Sequence, residues 1–140
     1  MVLLAFNGHL FLDVPFGPDG ERLVTAGTDG TAKVWDSTTG ALLLTLTGHT
    51  VGLASVLYSP DGRFIATGSG NDESTVRVWD ARTGNQIYIL TGHQLWVFGL
   101  AFSPDSSLLA TSGGGGIVKI WDMATGTEVR TLPNQVDVVH

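Results

Sequence analysis

Two dipeptides recur through this chain in a fixed order, and their recurrence limits the fold before any single residue is weighed. Gly-His stands at Gly8-His9, Gly48-His49 and Gly92-His93, and Trp-Asp at Trp35-Asp36, Trp79-Asp80 and Trp121-Asp122. The histidines lie 40 and 44 positions apart and the tryptophans 44 and 42. Between the two pairs comes a Pro-Asp turn (Pro18-Asp19, Pro60-Asp61, Pro104-Asp105), and a Thr-Gly follows at Thr39-Gly40, Thr83-Gly84 and Thr125-Gly126. A period of roughly 40–45 residues marks a chain built by stacking similar units, none of which buries its apolar surface alone.

Within a unit the apolar runs are short and bounded by Gly, Pro, Asp or Asn, the pattern of strands joined by tight turns. In the second unit they predict strands near 52–58, 63–68, 75–79 and 86–90. Proline in Ser59-Pro60-Asp61-Gly62 pre-sets φ for a type I turn, and glycine supplies the left-handed residue after it. The third copy, Ser103-Pro104-Asp105-Ser106, lacks that glycine and is expected to turn less tightly. No helical period extends beyond a turn, so the fold class is all-β.

The Gly-His to Trp-Asp units resemble those of the WD-repeat family of β-propellers, and the resemblance covers nearly the whole chain. It implies four-stranded antiparallel blades: unit one at 8–46, unit two at 48–90 and unit three at 92–132. Residues 2–6 and 136–139 are then expected to be orphan strands of neighbouring blades. The units differ. Unit one has two fewer residues between His9 and Pro18 than the others have in that interval, and Pro15 falls inside its first expected strand, which should be irregular or at an edge. Unit two carries an insertion at Gly70-Asn71-Asp72-Glu73, and unit three reads Gly113-Gly114-Gly115-Gly116 in its corresponding turn. Propellers close with typically 4–8 blades. Three blades form a partial ring, completed either by further blades of a longer chain or by identical copies in a homo-oligomer.

Composition narrows the function classes. The apolar content of 43 % supports a packed core, and 140 residues amount to one domain at most. Seven Lys and Arg against thirteen Asp and Glu leave a net charge of −6 with no basic stripe, which disfavours nucleic acid as a partner. There is no cysteine, hence no disulfide or thiolate metal site. No run approaches the roughly 20 apolar residues of a membrane span, and the N-terminal residues lack the basic region of a signal peptide, so a cytoplasmic location is expected.

The resemblance implies a hydrogen-bonded chain inside each blade, joining the Gly-His histidine, a strand threonine, a turn acid and the tryptophan. Here it comprises His9, Thr25, Asp29 and Trp35; His49, Thr67, Asp72 (or Glu73 beside it) and Trp79; and His93, Thr111 and Trp121, with glycine where the acid belongs. These are read as structural pins rather than hydrolase triads, because a nucleophile needs an oxyanion hole in a unique pocket and a thrice-repeated set offers neither. Histidines in successive blades do not converge as metal ligands must, and the glycine run lacks the Lys-Ser/Thr and helix of a phosphate loop. No catalytic residue, cofactor or metal is therefore expected.

Four apolar residues stand outside the repeat: Trp96 and Phe98 after the third Gly-His, and Phe11 and Leu12 after the first. They are the candidate partner-binding residues, since aromatics anchor interfaces. The family mostly supplies non-catalytic scaffolds, which implies a module binding a protein or peptide through its loop face. Two alternatives stand beside it: a self-assembling ring of identical arcs, and an accessory segment of a larger multidomain protein such as a kinase or protease.

Overall fold

The computed structural model describes residues 4–6, 9–11, 14–70 and 73–132, the first two stretches as backbone. All regular structure in them is β. In chain order the strands are β1 (Leu4–Phe6), β2 (His9–Phe11), β3 (Arg22–Ala26), β4 (Ala32–Asp36), β5 (Leu42–Leu46), β6 (Leu53–Tyr58), β7 (Phe64–Ser69), β8 (Val76–Asp80), β9 (Gln86–Leu90), β10 (Val97–Phe102), β11 (Leu108–Gly113), β12 (Val118–Asp122) and β13 (Thr127–Leu132). Strands β6–β9 and β10–β13 form antiparallel four-stranded sheets in chain order, and β3–β5 form a three-stranded one. The sheets stack as blades, with β6 against β3 on one side and β10 on the other.

Two expectations are corrected. Among the described residues the first blade has three strands rather than four, and Pro15 cannot donate to a ladder. What remains of its leading strand is a single bridge, Phe16 to Leu23, and the Pro15 carbonyl accepting the Val24 amide at 3.0 Å. Residues 4–6 are not an orphan strand: they pair with 9–11, Leu4 opposite Phe11 and Phe6 opposite His9. The intervening Asn7-Gly8 is among the strongest two-residue hairpin signals in sequence, here masked by its overlap with the repeating Gly-His. The strand expected at 136–139 lies outside the described residues.

Two cores fill the spaces between blades. Val24, Val34 and Leu46 of the first blade meet Leu53, Val56, Ile65 and Trp79 of the second. Phe64, Ala66, Val76, Val78 and Leu90, from the other face of the second blade, meet Val97, Leu109, Trp121 and Met123 of the third. All six residues of β7 are buried, since it packs on both faces. Each fully buried side chain such as Ile65, Leu90 or Leu109 contributes roughly 1.5–3 kcal/mol. The outer strands are bulged at one equivalent place, where Leu43, Ile87 and Val129 are each the unpaired extra residue, and all three are exposed.

The third Pro-Asp turn is as tight as the others, which corrects the expectation drawn from its missing glycine. Ser106 takes φ 64°, beside 73° at Gly20 and 76° at Gly62, and its amide bonds the Ser103 carbonyl at 2.9 Å. The left-handed conformation costs a residue with Cβ about 1 kcal/mol. It is held because Ser106 is fully buried and its Oγ accepts the Asp61 amide across the joint at 3.1 Å.

Gly126 and Gly40 close equivalent hairpins at φ 72° and 76°, yet a Cβ on Gly126 would lie 2.4 Å from the Tyr88 ring, whereas one on Gly40 meets nothing within 4 Å. In urea unfolding, Gly40→Ala should therefore cost about 1 kcal/mol and Gly126→Ala roughly 1–3 kcal/mol more, from overpacking of the second joint. Equal losses would show that Tyr88 gives way freely.

Candidate functional site

In every blade one strand (β3, β7 or β11) presents a buried threonine whose Oγ1 accepts the indole N–H of the tryptophan on the next. The distances are 3.0 Å for Trp35 to Thr25, 2.9 Å for Trp79 to Thr67 and 2.9 Å for Trp121 to Thr111. Cross-strand register places the pairs: Thr67 stands opposite Arg77, two residues from Trp79, so both side chains share a sheet face.

The second blade extends this into a relay. His49 Nε2 lies 2.7 Å from Thr67 Oγ1, and Nδ1 lies 3.0 Å from Glu73 Oε2. Since the Glu73 carboxylate only accepts, Nδ1 carries the proton and Nε2 accepts from Thr67. Glu73 also takes the Thr50 amide at 2.7 Å and the Thr75 hydroxyl. Burial opposes its charge, but the bonds from Thr75, Thr50 and His49 outweigh this and bring its pKa to about 2. Burial depresses His49 below 6.5 despite the raising pull of Glu73, so the imidazole is neutral at pH 7.

The acid of this blade is thus Glu73; Asp72 lies outside the described residues. Counting back from the residue that closes the turn would have found it. Thr31, Thr75 and Ile117 accept the closing bonds from Gly27, Ser69 and Gly113, and two residues before them stand Asp29, Glu73 and Gly115. The insertion therefore precedes the acid. Asp29 Oδ1 accepts both the amide and the hydroxyl of Thr31. The side chain of His9 lies outside the described residues.

In the third blade His93 Nε2 lies 2.8 Å from Thr111 Oγ1, with no acid beyond it. Burial, then the nearby Lys119 charge, lowers its pKa below 6.5. Lys119 instead ties to the outer strand, bonding Glu128 at 2.8 Å and Thr131 at 3.1 Å. The glycine turn here is a close-approach surface. A Cβ on Gly113 would sit 2.8 Å from His93 Nδ1, and one on Gly114 2.6 Å from Leu95 Cβ.

Above that surface the structure gathers three exposed apolar side chains: Leu95 (50 %), Trp96 (46 %) and Phe98 (55 %). The Trp96 carbonyl accepts the Gly114 amide at 3.0 Å, which fixes the loop on the bare glycine backbone. Phe98 is the extra residue of a bulge between Val97 and Gly99, the place Ala54 takes in the second blade between Leu53 and Ser55. An unpaired bulge residue is re-aimed off the sheet, so Phe98 projects while Val97 beside it is fully buried. Leu95 went unremarked in the sequence; its neighbour Trp96 and the facing glycines are the signal. Phe11 enters only through its backbone in β2, and Leu12 lies outside the described residues.

The sheets and the threonine–tryptophan pins define antiparallel β-propeller blades. Comparison with known proteins is consistent with that class: the WD domain, G-beta repeat model matches residues 2–36, 40–80 and 84–122, and the chain belongs to this WD40 family. It is similar to the nuclear distribution protein PAC1 of Arthroderma benhamiae, with 44 % identity over 55 residues, covering 39 % of this chain and 12 % of that protein. Ribosome assembly protein 4 of Saccharomyces cerevisiae matches at 40 % over 65 residues, covering 46 % of this chain and 13 % of that one. Among solved structures, the RRP9 WD40 repeats superpose with TM-score 0.87 at 25 % identity, over 97 % of this chain and 42 % of theirs. U3-55K gives TM-score 0.86 at 24 % identity, over 95 % and 42 %. The chain thus spans about an eighth of these curated relatives and under half of the solved propellers.

Removing the hydroxyl that joins Trp79 to His49 leaves two buried groups unpaired. Thr67→Val should cost about 2–3 kcal/mol in chemical denaturation. The relay also fixes the sign of the pH response. The depressed histidines make the unfolded state take up protons first, so stability declines as pH falls through about 6.5. It declines again from about 4.5 towards 2 as folded Glu73 is protonated, by roughly 2–3 kcal/mol. Glu73→Gln should shrink the second limb to what Asp61 and Asp105, also held at about 2, contribute, and should deepen the first, since His49 loses the raising pull of Glu73. In thermal melts across pH, an acid limb as large as the parent's would refute the relay.

Proposed function

We propose that this chain is a non-catalytic propeller scaffold that binds a protein or peptide through the loop patch of Leu95, Trp96 and Phe98. The observation that carries the reading is the exposure itself: three large apolar side chains, neighbours in sequence, held in solvent beside a bulge and a glycine surface. The second blade has Gly52 and Ala54 in place of Trp96 and Phe98, so the repeat does not require bulk there. Tryptophan is among the residues enriched at the energetic centres of interfaces, and exposed apolar patches mark interaction sites. His49 and His93 are bonded to threonine within their blades, which argues against a role towards a substrate.

The relatives support the same reading at a coarser level. Their names attach to nuclear distribution and to ribosome assembly, the second of which is work on a multi-component particle. By this reading the chain supplies one adhesive face of a larger complex, and the partner brings an apolar segment to it.

Peptides selected from a display library on the 140-residue chain provide the check. Trp96→Ala and Phe98→Ala should each weaken the selected peptides about tenfold or more, with melting temperatures within about 2 °C of the parent because neither side chain is in the core. Peptides that bind the double variant as well as the parent would move the site elsewhere.

A further inference from the structure

The two joints between blades are built alike but finished differently, and the difference exposes a second site on the opposite, Pro-Asp-turn side. At the joint of the second and third blades, Ser106 Oγ takes the Asp61 amide at 3.1 Å. Tyr88 donates to the Met123 carbonyl at 2.8 Å, and Phe102, which has no polar atom, packs at the end of β10. At the joint of the first and second blades, each of these has an unfinished counterpart. Gly62 replaces Ser106, so no side chain reaches the Asp19 amide. The Ala81 carbonyl is met only by Arg22, at a long 3.4 Å. Tyr58 replaces Phe102, and its hydroxyl is buried without a hydrogen-bond partner, in a side chain only 8 % exposed.

These groups line one cleft of about 390 Å³. Three of the groups in its lining, the Tyr58 O–H, the Arg22 guanidinium and the Asp19 N–H, are donors. Burial raises the Tyr58 pKa, so the hydroxyl keeps its proton and remains a donor. A buried donor without a partner costs about 1–3 kcal/mol, which a ligand supplying an acceptor recovers on binding. The rim selects among acceptors. Asp61 is occupied by Arg63 at 2.6 Å. Among the described residues Asp19 and Glu21 stand exposed without an ion pair, and they balance the Arg22 and Arg82 guanidinium groups of the same lining, so the cleft carries no net positive charge to favour a carboxylate over a neutral amide.

We infer that this cleft is a second peptide site, in which Tyr58 and Arg22 receive the amide carbonyl of a partner segment inserted between the first two blades. The inference rests on the reading of the chain as a peptide-binding scaffold, but uses a face separate from Trp96. Gly62 makes the cleft possible: a Cβ there would meet only Pro18 at 3.5 Å, so the gap is left by a missing side chain rather than by backbone geometry.

The test is an NMR titration of the 140-residue chain with N-acetyl-Gly-Asn-Gly-amide, and separately with the Asp analogue. The neutral peptide should shift the Tyr58 ring and the Gly17 and Ala81 amides. Tyr58→Phe should weaken it about five- to tenfold while holding or raising the melting temperature, since it deletes an unpaired buried hydroxyl. Gly62→Ser, which copies the third blade, should close the cleft and abolish the shifts. Shifts with the Asp peptide alone would overturn the amide assignment. Shifts that persist undiminished in Tyr58→Phe, or no shifts at these residues, would overturn the site. Shifts confined to Leu95, Trp96 and Phe98 would overturn it too, while leaving the loop-face scaffold standing.

Discussion

A propeller blade is a sheet with two apolar faces, and neither face is satisfied until another blade lies against it. In the second blade this is complete: one face of β7 sends Ile65 into the first core, the other sends Phe64 and Ala66 into the second. The polar pins follow from the same constraint. Thr25, Thr67 and Thr111 are buried because their strands are, and a hydroxyl there must find partners. The tryptophan indole supplies one in every blade. Bulk and hydrogen bonding thus come from one residue type, which is why a tryptophan stands at this place in all three units.

The repeat made the architecture legible, and the departures from it show where sequence reasoning stops. The strands of the second unit fall within a residue of their predicted places because short apolar runs and turn residues bound each one. The first unit fails for two local reasons. Pro15 removes a ladder donor, and Asn7-Gly8 carries a hairpin signal of its own that competes with the family pattern. The turn of Ser106 departs from propensity for a different reason. Propensity assigns its left-handed residue to glycine, but the contact that overrides propensity is with Asp61, 45 residues away, and no local window contains it.

The candidate sites divide in the same way. Trp96 and Phe98 stand out because they break the repeat, and bulky aromatics are conspicuous in sequence. The surface beneath them is not, since a glycine run reads as flexibility until His93 and Leu95 are seen pressed against it. The cleft between the first blades was illegible for a stronger reason. Tyr58 looks like any strand tyrosine, and its lone hydroxyl emerges only from comparing two joints atom by atom. Glu73 lies between these cases, visible once the turn is counted from its closing residue.

The bulge on the innermost strands separates two jobs that most strand positions combine. Val97 and Leu53 belong to the cores, while the neighbouring Phe98 and Ala54 belong to neither. A side chain in that slot changes without disturbing the packing that holds the blades together. The slot thus behaves as an interchangeable fitting on a fixed frame. Blade two carries it blank and blade three carries it filled, so a propeller of this kind can change what it presents to solvent by changing what its slots hold, one blade at a time.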